Sequence, residues 1–82
     1  MLKTKVRRNW EQVRDDYDSK RWENHATGHR VIVQQFNGIY TVALEDGDSE
    51  TIDKAENVLP SETGYLADAY RKMVNEGEVE NV

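Results

Sequence analysis

RVIVQQFNGIYTVALE, residues 30–45, writes a β-hairpin whose register is set by its own turn. Two runs rich in β-branched and aromatic residues flank Asn37-Gly38, a dipeptide that accepts the positive φ angles of a two-residue type I′ turn. Counting outward, Phe36 faces Ile39, Gln35 faces Tyr40, Gln34 faces Thr41, Val33 faces Val42, Ile32 faces Ala43, Val31 faces Leu44 and Arg30 faces Glu45. Side chains alternate along a strand, so Val31, Val33, Tyr40, Val42 and Leu44 share one face, with Gln35 the misfit. That face reads as core. The other carries Ile32, Gln34, Phe36, Ile39, Thr41 and Ala43 and closes on the opposite-charge pair Arg30 and Glu45.

The whole chain has 82 residues, enough for one small domain that buries little more than half of its unfolded surface. It has no cysteine, which excludes disulfides, thiolate metal sites and thiol nucleophiles and agrees with a cytoplasmic location. No apolar run approaches the roughly 18 residues of a membrane helix, and the basic start MLKTKVRR leads into NWEQVRDDYD rather than an apolar stretch. A soluble, unexported protein is expected.

The net charge of −5 is unevenly distributed. Lys3, Lys5, Arg7 and Arg8 stand among the first eight residues with no acid, while the remainder holds sixteen acids against seven bases. This describes a flexible basic arm over residues 1–5 on an acidic body. Dense acids with few lysines also suit proteins that work in concentrated salt.

Val6, Trp10, Val13 and Tyr17 recur at helical spacing and predict an amphipathic first helix ending near Ser19. Arg21 to Asn24 follows as a short edge strand folding back on Val31 to Val33, with Trp22 capping one end of the core. His25 and His29 sit four apart, but Gly28 before a strand argues against the helix that would aim both at one ion, and zinc wants a third protein ligand. No metal is expected there. The acidic turn DGDSE, residues 46–50, fails the calcium-loop pattern, with Thr51 where glycine belongs and Asn57 where a bidentate Glu belongs.

Glu50 to Asp53 reads as a short third strand with Ile52 toward the core, after which Ala55, Val58 and Leu59 cross the end of the sheet. Leu59-Pro60-Ser61 announces a closing helix with Ser61 as N-cap and Gly77 beyond its C-terminus. Its core stripe is Leu66, Ala69, Tyr70, Met73 and Val74. The polar tail, residues 78–82, reads as disordered.

These parts predict one α+β domain over residues 1–77. A small antiparallel sheet of three to four strands, centred on hairpin 30–45, packs against an N-terminal and a C-terminal helix. The alternative is an SH3-like or Tudor-like barrel, and the long terminal helix favours the open sheet. The segments around Trp22, Gly28 to Val33, Gly38 to Glu45 and the helix up to Met73 make the chain resemble small acidic proteins of halophilic archaea. The resemblance implies this fold and a salty cytoplasm, and no activity.

No phosphate-binding glycine loop, dinucleotide fingerprint or nucleophile constellation occurs, so neither catalysis nor a cofactor is expected. A non-catalytic interaction domain is the favoured reading. Ile32, Phe36 and Ile39 cluster on the second sheet face and would bind a protein partner or a second copy. The alternative is a nucleic-acid-binding accessory protein that uses Lys3, Lys5, Arg7, Arg8 and Arg14, with Phe36 or Trp22 as a stacking surface.

Overall fold

The computed structural model describes residues 9–77. The expected basic arm, residues 1–5, and the tail 78–82 lie outside the described residues, as do Lys3, Lys5, Arg7 and Arg8. The chain forms a five-stranded antiparallel meander, β1 Trp10–Asp15, β2 Ser19–Asn24, β3 Arg30–Phe36, β4 Ile39–Glu45 and β5 Thr51–Val58. A short 3-10 turn, Pro60–Glu62, leads into the helix α1, Thr63–Asn75. Among the described residues each strand pairs only with its sequence neighbours, which leaves β1 and β5 as the outer strands of the described sheet.

The central hairpin has the register its turn dictates, with all seven pairs from Arg30 and Glu45 to Phe36 and Ile39 in place. Asn37 and Gly38 both adopt positive φ, 54° and 78°, as a type I′ turn requires. Val31, Val33, Val42 and Leu44 are buried on one face, each contributing about 1.5 to 3 kcal/mol by leaving water.

The expected fold of three to four strands between two helices is corrected at three places. The first is the N-terminal segment, where Trp10–Asp15 is a strand paired with β2 rather than a helix running to Ser19. A helix through Trp10, Val13 and Tyr17 would bury all three, yet only Trp10 is buried. Such a helix would also set Asp15, Asp16 and Asp18 against the negative end of its own dipole. Instead Asp16 and Ser19 exchange backbone hydrogen bonds, N–H to O at 2.8 and 3.4 Å, and close a tight turn with Tyr17 and Asp18 at its tip.

The second correction concerns β2, which is not an edge strand but lies between β1 and β3, aligned from Ser19 opposite Gln34 to Glu23 opposite Arg30. The third is β5. Ala55 and Val58 do not cross the sheet end but continue the strand, and two register shifts carry it to eight residues. At one of them Thr51 and Ile52 share the partner position of Glu45, which leaves Ile52 exposed instead of in the core. A matching shift between Gln12 and Arg14 leaves Val13 exposed on β1.

Helix α1 covers the Val31, Val33, Val42 and Leu44 face, touching β3 and β4. Ala67, Tyr70 and Val74 are buried there, with Leu66 and Met73 packed at the margin. The stripe is thus close to the one its spacing predicts, rotated to take in Ala67 and Arg71. Arg71 is buried, pairs with Asp68 and lays its guanidinium over the Trp22 ring, 4.5 Å from the centroid. The Tyr70 hydroxyl bonds Asp53, and burial followed by that carboxylate raises its pKa. Ser61 is not the helix cap. It sits in the 3-10 turn, and Glu62 occupies the cap position without a side-chain cap bond. Gly77 ends the helix at positive φ, its N–H on the Val74 carbonyl at 3.1 Å.

Candidate interaction surface

An antiparallel meander sends alternate connections to opposite ends of the sheet. The β1–β2 and β3–β4 turns therefore share one end with the exit of β5 and the start of α1, while the β2–β3 and β4–β5 turns share the other. The first end is tied across by the Gln35 N–H on the Asp18 carbonyl, 2.9 Å. Exposed apolar side chains gather there. Tyr17 is 84 % exposed, Phe36 79 %, Tyr65 75 %, Leu59 60 % and Ile39 52 %.

Of the residues expected to bind a partner, Phe36 and Ile39 form the last cross-strand pair at this end. Ile32 is not with them at the tip. It lies half-buried further down β3 between Arg21 and Ala43, on the face α1 does not cover. Tyr17, Leu59 and Tyr65 were outside the expected set. Tyr65 had a usable signal, since it falls off the apolar stripe of its helix, whereas Tyr17 was hidden by its helical spacing from Trp10 and Val13.

Beside Phe36 an open cleft of about 500 Å³ runs between the two hairpins, lined by Arg14, Asp18, Ser19, Gln34 and Gln35 among others. Arg14 is held by Asp16, Nε to Oδ2 at 2.8 Å, on an exposed pair. The Asp18 carboxylate has no hydrogen-bond or ion-pair partner among the described residues. Among the described members of the expected nucleic-acid set, then, Arg14 is already paired, and the alternative stacking ring, Trp22, lies on the core side under Arg71.

The opposite end is polar and bonded to itself. The Asn24 side-chain oxygen accepts from the N–H groups of Ala26 and Thr27 at 2.8 and 2.9 Å. His29 is buried with Nδ1 2.7 Å from the Thr27 hydroxyl, and burial lowers its pKa while Asp46 partly raises it. The Asp46 carboxylate accepts from the N–H groups of Asp48 and Glu50 at 2.8 and 3.0 Å. Its acids thus shape the turn, and among the described residues no group of three or more His, Asp or Glu side chains could hold a metal. No helix among them is long and apolar enough to cross a membrane.

Comparison with known proteins gives no match, whether to a family model, a curated protein or a solved structure.

Proposed function

We propose that the chain is a non-catalytic interaction domain that docks protein through the hairpin end of its sheet, with Phe36 and Ile39 at the centre. The observation that carries this reading is the gathering of Tyr17, Phe36, Ile39, Leu59 and Tyr65, all more than half exposed, at one end of a small fold whose single described helix covers the other sheet face. Apolar patches of this kind mark association surfaces. The likeness to small acidic proteins of halophilic archaea belongs to the same reading and rests on the sequence pattern alone. A salt-tolerant contact fits it, since apolar association strengthens where exposed charges are screened.

Light scattering over a concentration series at low and high salt tests the surface. Self-association that survives high salt and disappears in Phe36→Ser supports it. A monomer under all conditions, with a solubility limit that Phe36→Ser leaves unchanged, overturns docking of a second copy.

A further inference from the structure

Resting on that reading, we infer that the cleft beside Phe36 receives a cationic side chain, an arginine or lysine presented by a segment of a partner protein. Three observations converge on this occupant. Phe36 offers an exposed ring face at the cleft wall. The neighbouring Asp18 carboxylate has no partner among the described residues, while the cation already present, Arg14, is neutralised by Asp16, so the cleft keeps one unmatched negative charge. Gln34, Gln35 and Ser19 add oxygen acceptors around the same space.

A guanidinium is a flat cation that stacks on an aromatic face while its edge donates to carboxylate and amide oxygens. This chain uses that arrangement internally, where Arg71 lies over Trp22 and its edge meets Asp68. The cleft lining brings together the same kinds of group, with Phe36 in the place of Trp22 and Asp18 in the place of Asp68. Tyr17 and Ile39 lie outside the cleft lining but are exposed at the same end, next in the chain to Asp18 and opposite Phe36 respectively, where they can meet the residues flanking the incoming side chain.

The probe is a fluorescently labelled oligo-arginine peptide, with oligo-glutamate as control, titrated by anisotropy into the wild-type chain, Asp18→Asn, Phe36→Ser, Phe36→Leu and Asp48→Asn. The expected result is binding of oligo-arginine alone, weakened roughly two- to fivefold by Asp18→Asn and by either Phe36 variant. Asp48→Asn, in the acidic turn at the far end, leaves it unchanged. Phe36→Leu keeps an apolar side chain and removes only the ring, so its loss reports stacking rather than folding.

Equal weakening by Asp48→Asn and Asp18→Asn reveals general attraction to an acidic chain and overturns the inference. Absence of oligo-arginine binding together with salt-resistant self-association that Phe36→Ser abolishes overturns the cationic occupant and leaves the docking surface standing. Absence of both overturns the two together.

Discussion

At the end of the sheet that holds Asn24, His29 and Asp46, polar side chains bond the protein's own backbone. At the other end, Tyr17, Phe36, Ile39, Leu59 and Tyr65 face solvent. Both ends are built from short turns, yet they use them differently. The Asn24 amide oxygen and the Asp46 carboxylate accept from turn N–H groups and fix the two turns. At the hairpin end the Asp16–Ser19 turn closes through backbone hydrogen bonds, and the large side chains nearby face solvent. One end is bonded to itself and the other leaves its large apolar side chains exposed.

That contrast can be broken from several directions. The largest effect lies between the ends, where Val42→Asp puts a charge into the centre of the core and should abolish the cooperative melt by circular dichroism, while Thr41→Asp, one residue away on the uncovered face, should be nearly silent. Melts that came out alike would sink the assignment of faces. At the polar end, Asn24→Ala strips two turn N–H groups of their acceptor and should cost about 2 kcal/mol in urea denaturation.

The buried imidazole of His29 gives this end a pH signature. Its folded-state pKa lies below the ordinary 6.5, mainly through burial, so the unfolded chain binds the extra proton as pH falls. The contribution is therefore complete above about pH 6.5 and is lost as the pH drops through the folded-state value. Urea midpoints should fall from pH 7.5 to pH 5, and His25→Ala, at an exposed site, should leave that trend intact. A midpoint that rose on acidification would contradict the burial of His29.

Gly28→Ala should cost about 1 kcal/mol, because Gly28 sits at φ +84° and an added Cβ would meet the Gly47 backbone at 3.4 Å. The smallest effect on stability belongs to the hairpin end. Phe36→Ser should shift the urea midpoint by no more than about 0.5 kcal/mol while changing association the most. A strongly destabilised Phe36→Ser would mean that the two ends are not divided in this way.

How far the sequence foretold this division differs from element to element. Hairpin 30–45 was fully legible, since Asn37-Gly38 fixes a turn and the turn fixes every pair. The stripe of α1 was legible to within a small rotation. Strand β1 was not, because Val6, Trp10, Val13 and Tyr17 mimic a helical period, and the turn that follows contains neither glycine nor asparagine to announce itself. Strand β5 reads short in the sequence because its register shifts break the alternation on which strand recognition depends, and for the same reason the alternation puts Ile52 inside. The exposed apolar end is legible only as far as those elements are. Phe36 and Ile39 could be read from the hairpin alone, but that Tyr17 and Leu59 join them depends on the number of strands, and one missed strand sends the turn to no end at all.

The register shifts in the two outer strands limit how this protein can aggregate. A flat outermost strand is an invitation to add another, and then another, without end. Here the shift at Val13 in β1 and the pair of shifts in β5 twist the exposed backbone out of line, and Glu11, Asp15, Lys54 and Glu56 stud it with charge. Such irregular, charged edges disfavour strand addition at both flanks of the described sheet. The exposed aromatics thus stand beside outer strands whose irregular, charged backbone is a poor template for a further strand.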